Sequence, residues 1–436
     1  MARKSPPDAL LVGTGEYTTG YVRGEGADSD KGAGVVALVF FDLRRRGLVG
    51  DRLGMCGTDG AKFAGIRAHL AAKLAAYPRT FAAPERDFAF AAYPPDARAV
   101  DPLAYEAALD DYRPGDVAVV FTPDDTHCAI ARACLRRGLH VLLTKPAVKT
   151  LAEHAELQAL AAARGLLCCV EVHKRWDPVY ADARDAVRSR LGALSFFTAY
   201  MSQPKHQLDT FAAWAGRASD ISYYLNSHHV DFHAWVERGR ARAVRVSAHA
   251  SNGFANRHNG LPAGCEDTIT LCVDWRNFVD GTRAHATYTA SWAAARSDVH
   301  SQQRFFWLGR NGELTVDQAH RGYSSAEDEH GFGARNPHFM KYTPTDGRFS
   351  GQSAYGYQSF EAFIAAARAV NAREEAASAF DDGRLATLAT TAMTTAVLEA
   401  GRRSLDAGGK AGTTMYACGA AGRADAPPAD PAGCAV

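Results

Sequence analysis

Two segments of the sequence carry residue types suited to acid–base chemistry. In the first, Thr144-Lys145-Pro146, a lysine follows the apolar run His140–Leu143. A lysine near the end of a buried strand can have its pKa lowered by burial and can stabilise a reacting oxygen. We therefore predict that Lys145 is catalytic. The alternative is a solvated surface lysine.

The second segment, residues 223–233, places Tyr224, His228 and Asp231 at helical spacing. Histidine exchanges protons near neutral pH, and a nearby carboxylate fixes its tautomer. We predict that His228 is catalytic with help from Tyr224, and that Asn226 and Asp231 contact substrate. Two alternatives stay open: a zinc site among the clustered histidines, which we disfavour, and a structural role for them.

A β-α-β unit over residues 116–146 would position Lys145. The apolar run Asp116–Phe121 predicts a buried strand that Thr122-Pro123 ends. Residues 127–137 have helical apolar spacing, and Gly138 ends that helix. Open α/β sheets bind ligands at the C-terminal ends of their strands, so this unit predicts a ligand site.

A glycine-rich turn follows the first predicted strand, Ala9–Val12. Gly13-Thr14-Gly15 suits a close approach to a pyrophosphate, although Thr18 stands at the third glycine position. Residues 16–30 then form an unusual insertion. We predict that the next helix begins at Ser29-Asp30-Lys31 and runs to about residue 46.

The second predicted strand, Arg52–Cys56, ends without the carboxylate that commonly holds an adenosine ribose. Gly57 stands at that position, followed by Thr58 and Asp59, with Lys62 nearby. This favours tolerance of a 2′-phosphate, unless Asp59 turns in to the ribose.

Strands alternate with helices as far as residue 178, including a third strand at Phe88–Ala92. This predicts a doubly wound parallel Rossmann sheet over residues 1–178. Longer alternating strands then predict an α+β domain with a largely antiparallel open sheet over 179–406. The Gly, Ala and Pro-rich residues 407–436 predict a loosely ordered tail. Aromatic residues within 335–342 and 351–357 either line a pocket or pack in the core.

The composition excludes several classes of function. The 436 residues carry 49 basic and 48 acidic side chains, so we expect no nucleic-acid partner. Nine cysteines without paired spacing predict reduced thiols in an intracellular protein and no metal site. No segment suggests a signal peptide or a membrane span, so we expect a cytoplasmic protein with no membrane partner.

Over roughly residues 9–405 these motifs resemble the glucose–fructose oxidoreductase/inositol dehydrogenase (Gfo/Idh/MocA) family. The glycine turn, Thr122-Pro123 with His127, Thr144-Lys145-Pro146 and the helical segment Tyr224–Asp231 match its pattern. Thr144 and Tyr224 replace a glutamate and an aspartate of that pattern. The resemblance implies NAD(H) or NADP(H) as cofactor, Lys145 and His228 as catalytic residues, and a homodimer or homotetramer.

The cofactor site predicted from the resemblance and the strand ends comprises Gly13, Gly15, Glu16, Tyr17, Thr18, Thr58, Asp59, Lys62, Thr122, Pro123, His127, Thr144 and Lys145.

Within the family, several stretches are similar to D-galacturonate/D-glucuronate reductases, which implies reduction of a uronic acid aldehyde. Basic residues near strand ends could then bind the substrate carboxylate: His173, Lys174, Arg175 and Lys205. The alternatives are that each is a solvated surface charge, or that Lys174 and Arg175 pair with acidic groups at the domain interface. Two alternatives are a dehydrogenase of a neutral sugar or polyol and a non-catalytic NAD(P)-binding sensor.

Overall fold

The computed structural model describes residues 5–27, 31–257, 260–297, 299, 301–329, 331–334 and 336–413. Two compact units form the chain: Met1–Asp177 with Arg335–Thr390, and Pro178–Ala334 with Thr391–Val436. Residues 335–390 therefore group with the first unit, although the sequence placed them in the second domain. Ser29, Asp30 and residues 414–436 of the predicted tail lie outside the described residues.

The first unit, in its described residues, contains a six-stranded parallel sheet in the order β5-β4-β1-β6-β7-β8. A two-stranded hairpin, β2-β3, lies within the insertion. The strands are β1 Ala9–Val12, β2 Tyr21–Val22, β3 Glu25–Gly26, β4 Leu53–Cys56, β5 Ala91–Tyr93, β6 Val117–Val120, β7 His140–Thr144 and β8 Cys168–Glu171.

Alternate residues of these strands enter two separate apolar cores. Leu11 and Val119 belong to one core, and Leu10 and Val120 belong to the other. A parallel sheet buried on both faces needs apolar residues at consecutive positions, as these short runs provide. This confirms the predicted doubly wound parallel sheet.

Helices on both faces cover the sheet. Their bounds are α1 Glu16–Thr19, α2 Val36–Arg45, α3 Lys62–Leu74, α4 Pro84–Asp87, α5 Ala104–Leu109, α6 His127–Arg137, α7 Leu151–Arg164 and, later in the chain, α11 Tyr355–Ala372.

Two predicted boundaries in this unit differ from the structure. The helix predicted from Ser29-Asp30-Lys31 begins only at Val36, because Gly34 has a φ of +72°, which a right-handed helix does not allow. The third strand begins at Ala91 rather than Phe88, because the short helix α4 runs to Asp87 and Phe88 is its C-cap residue.

The second unit, in its described residues, contains a seven-stranded sheet in the order β14-β13-β9-β12-β11-β10-β17. Neighbouring strands are antiparallel except for the parallel pair β9 and β12, which confirms the predicted largely antiparallel sheet. Its strands are β9 Leu194–Pro204, β10 Ala241–Asn252, β11 Glu266–Asn277, β12 Arg283–Ala294, β13 Gln302–Gly309, β14 Gly312–Asp317 and β17 Gly412–Thr413. A separate antiparallel pair comprises β15 Ser324–Glu327 and β16 Gly331–Ala334.

Helices of this unit include α10, which carries His228. The bounds are α8 Pro178–Ala186, α9 Leu208–Phe211, α10 Ser227–Glu237 and α12 Leu388–Asp406, of which residues from Thr391 onward belong to this unit. Among the described helices, none has both the length and the hydropathy needed to cross a bilayer.

Candidate active site

Lys145 follows β7 directly, at the C-terminal edge of the parallel sheet. Thr144, the last residue of β7, pairs in register with Glu171, the last residue of β8. Burial lowers the pKa of Lys145 from 10.5 to about 7, against the opposing effect of the Asp124 and Glu171 carboxylates. A lysine that exchanges its proton near neutral pH is suited to act as both a general acid and a general base.

His127 connects the two turns that flank this edge. Its Nε2 lies 2.9 Å from the carbonyl oxygen of Thr122, and its Nδ1 lies 3.0 and 3.1 Å from those of Pro146 and Ala147. The side chain is fully buried. His127 therefore holds the turn after β6 against the turn that carries Lys145, a positioning role rather than the predicted direct contact with cofactor.

The turn after β6 presents two other predicted cofactor residues. The Thr122 hydroxyl accepts a hydrogen bond from the Thr126 hydroxyl at 2.7 Å, and Pro123 is exposed. Both residues precede α6 at the C-terminal edge of the sheet, where ligands of parallel sheets bind.

The glycine turn after β1 has the shape that a dinucleotide needs. Gly13 has a φ of +113°, and a Cβ atom there would overlap the backbone carbonyl of Phe121. Gly15 is extended, with φ −75° and ψ −175°, and a Cβ atom there would meet no protein atom within 4 Å. The backbone at Gly15 therefore borders open space, so these residues fit the close approach of a pyrophosphate.

The residues after Gly15 form the single helical turn α1. The Tyr17 ring stacks on Phe121, with 5.1 Å between ring centroids and an interplanar angle of 7°. Glu16 is half-buried beside it, whereas Thr18 is buried. The structure thus keeps Glu16 and Tyr17 near the turn and directs Thr18 into the unit's interior.

In the predicted ribose-binding region after β4, some side chains are exposed and one carboxylate accepts a backbone hydrogen bond. Thr58 and Lys62 are exposed. The Asp59 Oδ1 accepts a hydrogen bond from the backbone N–H of Ala61 at 3.0 Å, at the start of α3. A Cβ atom on Gly57 would crowd the Thr14 side chain.

Sequence reasoning missed a group of side chains around the end of β8. Glu171 Oε1 accepts a hydrogen bond from the Ser359 hydroxyl at 2.9 Å, and Oε2 lies 3.3 Å from His173 Nδ1. The His173 ring stacks on Tyr355, with 5.6 Å between centroids and an angle of 18°, and also contacts Phe339. Ligands bind at the C-terminal ends of parallel strands, and this principle, which indicated Lys145 after β7, also indicates Glu171 at the end of β8. No local sequence signal predicts the contact between Glu171 and Ser359.

The basic residues after β8 are placed differently from the prediction. Lys174 and Arg175 are buried. The Arg175 guanidinium donates to the carbonyl oxygen of Leu385 at 3.5 Å and to the Thr390 hydroxyl at 3.3 Å. Arg175 therefore holds residues 385–390 to the first unit, which argues against its predicted contact with a substrate carboxylate.

In the second unit, the predicted catalytic helix begins with a π-helical turn, Ser222–Asn226, before α10. The Tyr224 hydroxyl accepts a hydrogen bond from Gln203 Nε2 at 3.3 Å, and its ring packs against Phe211 and Trp214. The wider turn changes the spacing of four residues on which the predicted shared face of Tyr224 and His228 depends.

His228 and Asp231 are both buried in α10, and Asp231 Oδ1 accepts a hydrogen bond from the Thr394 hydroxyl at 3.3 Å. Asn226 is also buried, and its Nδ2 donates to the Ser222 hydroxyl at 3.0 Å. The amide nitrogen of Asn226 therefore bonds within this unit, and the contact of Asn226 with substrate stays a prediction. Lys205, by contrast, is exposed at the end of β9.

The two other histidines of the cluster have structural contacts. His229 Nε2 lies 3.1 Å from the Tyr180 hydroxyl, and the His233 ring stacks on Phe197 with 4.1 Å between centroids. No group of three or more His, Cys, Asp or Glu side chains arranged for a metal ion occurs within the described ranges. The structural alternative thus describes His229 and His233.

Comparisons with known proteins agree with the parallel α/β fold of the first unit. Residues 52–172 match the sequence profile described as "Oxidoreductase family, NAD-binding Rossmann fold". The chain is 30% identical over 166 residues to scyllo-inositol 2-dehydrogenase (NADP(+)) IolW of Bacillus subtilis, which covers 37% of this chain and 43% of IolW. The chain therefore spans less than half the length of that relative.

A longer match extends to Inositol 2-dehydrogenase 1 of Saccharopolyspora erythraea, with 34% identity over 245 residues, 48% of this chain and 71% of that protein. Among solved structures, scyllo-inositol dehydrogenase from Lactobacillus casei with bound NAD(H) and scyllo-inositol superposes with a TM-score of 0.61, at 14% identity, over 94% of this chain and 100% of that chain. At that identity the superposition shows the fold alone. The profile and the glycine turn identify the first unit as an NAD-binding Rossmann domain.

Proposed function

This chain belongs to the Gfo/Idh/MocA oxidoreductase family, and from that premise we propose that it is an NAD(P)-dependent dehydrogenase of a neutral sugar or polyol. The observation that carries the proposal is Lys145, with a pKa lowered to about 7, at the C-terminal edge of the NAD-binding sheet. Its relatives named as inositol dehydrogenases support the substrate class.

In this proposal the bound nicotinamide supplies the hydride acceptor. The neutral amine of Lys145 takes the hydroxyl proton as the substrate C–H bond gives up its hydride, which leaves a carbonyl and an ammonium. In the reverse direction the ammonium donates to the carbonyl oxygen and returns the proton. We propose a hydrogen-bonding or proton-donating role for His228 as well.

The neutral substrate replaces the uronic acid that the sequence predicted. Arg175, one of the proposed carboxylate-binding residues, donates to Leu385 and Thr390 instead. Glu171 ends β8, the strand that pairs with β7, and Lys145 directly follows β7. The carboxylate of Glu171 would repel the carboxylate of a uronic acid substrate bound near Lys145. Substrate hydroxyl groups both donate and accept hydrogen bonds, so they are compatible with both the Lys145 amine and the Glu171 carboxylate.

We expect turnover with NAD⁺ or NADP⁺ and a neutral polyol or sugar. The test is absorbance of the reduced nicotinamide with myo-inositol, scyllo-inositol and neutral sugars, and with galacturonate and glucuronate in the reductive direction. Turnover of uronates alone would show that the substrate class is wrong. Cofactor binding without turnover of any compound would instead support the sensor alternative.

The activity is expected to depend on pH in opposite senses in the two directions. Because the pKa of Lys145 is lowered to about 7, its ammonium predominates below that pH and its neutral amine above it. Oxidation needs the neutral amine, so log kcat/KM for oxidation should rise as the pH increases through 7. Reduction needs the ammonium, so log kcat/KM for reduction should decrease over the same range. Profiles with the same sign in both directions would contradict Lys145 as the exchanging group.

We expect NADPH to be accepted at least as well as NADH, because Gly57 offers no carboxylate to the ribose and Asp59 Oδ1 accepts from Ala61 N–H. Steady-state KM for the two cofactors is the measurement. Asp59→Asn is the matched control, since it keeps the capping oxygen and removes the charge. A strong NADH preference that this variant abolishes would show that Asp59 binds the ribose.

The homodimeric or homotetrameric state and the cytoplasmic location remain predictions from the sequence and its family resemblance.

A further inference from the structure

A buried carboxylate stands beside the turn that carries Lys145. Glu171 ends β8, and its register partner on β7 is Thr144, the residue before Lys145. Neighbouring strands lie about 4.8 Å apart, so the Glu171 backbone is one strand spacing from that of Thr144. The Glu171 side chain is only 2% exposed, so water screens its charge weakly.

Both oxygens of this carboxylate have partners in the first unit. The Ser359 hydroxyl, on α11, donates to Oε1 at 2.9 Å. His173 Nδ1 lies 3.3 Å from Oε2, and a carboxylate only accepts, so the proton of this hydrogen bond resides on Nδ1. Tyr355 and Phe339 pack against the His173 ring and limit its rotation.

We propose that Glu171 is a positioning residue for the proposed reaction: it keeps a negative charge beside Lys145 and fixes the orientation and tautomer of His173. This inference rests on the proposed function, because it assigns Glu171 a role through Lys145. Glu171 comes from β8 and was not among the site residues that the sequence predicted.

The charged groups that face Lys145 make the effect of Glu171 predictable in sign. Burial favours the neutral amine of Lys145, and the charge of Lys31 adds to that effect. Asp124, after β6, and Glu171, at the end of β8, favour the ammonium. Loss of the Glu171 charge therefore lowers the pKa of Lys145 further and depletes the ammonium near neutral pH.

The experiment measures Lys145 directly in the full-length protein without substrate or cofactor. Trace acetic anhydride labels neutral amines, and peptide mass spectrometry of Lys145 at a series of pH values gives the midpoint of its titration. Glu171→Gln is expected to lower this midpoint by about one pH unit. Ser359→Ala is the matched control, because it removes a hydrogen bond to Glu171 and leaves the charge, so its midpoint should stay close to that of the wild type.

An unchanged midpoint in a folded Glu171→Gln protein would overturn the proposal, as would an equal shift in Ser359→Ala. If Glu171→Gln does not fold, Glu171→Ser carries the same expectation. If neither variant folds, Glu171 is a structural residue and the proposal is wrong. The labelling needs no turnover, so an enzyme that fails with every polyol would refute the proposed function and leave this test intact.

Discussion

Replacing Lys145 with alanine is expected to lower kcat by about 100-fold or more while the cofactor still binds. Lys145 stands at the end of β7, and burial lowers the pKa of its amine to about 7, so the variant loses the group that exchanges the substrate proton. Steady-state kinetics give kcat, and fluorescence titration gives the Kd of NADH and NADPH. Lys145→Arg is the control. It keeps the positive charge, but its guanidinium does not release a proton near pH 7, so this variant should also have a lowered kcat.

His228→Ala is expected to lower kcat by a similar factor, about 100-fold, because the variant loses the hydrogen bond or proton that we propose His228 gives to the substrate. The adjacent His229 provides the comparison, because its Nε2 bonds to the Tyr180 hydroxyl inside the second unit. His229→Gln should lower the melting temperature, but its kcat should stay close to that of the wild type. A His228→Ala enzyme with wild-type kcat would remove His228 from the mechanism and leave the role of Lys145 standing.

The β6-α6-β7 region was predictable because each of its boundaries has a local cause. The strand ends before Thr122-Pro123, and α6 ends at Arg137 because the next residue, Gly138, has a φ of +93°. Both signals act within a few residues of the boundary that they set. The confirmed fold class depends on such local signals, repeated along the chain.

The surroundings of Glu171 could not be predicted because they depend on distant parts of the chain. The Tyr357 hydroxyl donates to the buried Asp42 Oδ2 at 2.7 Å, a contact between residues 315 positions apart. Such bonds bring α11, and with it Ser359, to the first unit. Periodicity describes which face of a helix is apolar, but it does not say which sheet that face will cover.

The partners of the buried basic residues could not be predicted from local sequence either. Lys and Arg near strand ends are usually solvated or bind ligands, so the sequence favoured a substrate contact for Arg175. The fold instead supplies Thr390 and the Leu385 carbonyl as acceptors. A charged side chain pairs with whatever polar groups the fold brings to it, and those groups lie 210 and 215 positions away in the sequence.

Two glycines of the first turn should respond in opposite ways to a single added methyl group. Gly13→Ala is expected to lower the free energy of unfolding by about 3 kcal/mol or more. The new Cβ would overlap the Phe121 carbonyl, and alanine rarely adopts the φ of +113° found there. Gly15→Ala should change stability by no more than about 0.5 kcal/mol, because its backbone is extended and a Cβ meets no protein atom.

The open space at Gly15 is where we expect the cofactor pyrophosphate, so the methyl group should oppose cofactor binding rather than folding. We expect the Kd of NADH or NADPH to rise about tenfold or more in Gly15→Ala, a loss of about 1.4 kcal/mol. Denaturant titration and fluorescence titration measure the two quantities independently. Wild-type cofactor affinity in Gly15→Ala would place the pyrophosphate elsewhere, whereas a stable Gly13→Ala protein would show that the β1 turn can yield to the new side chain.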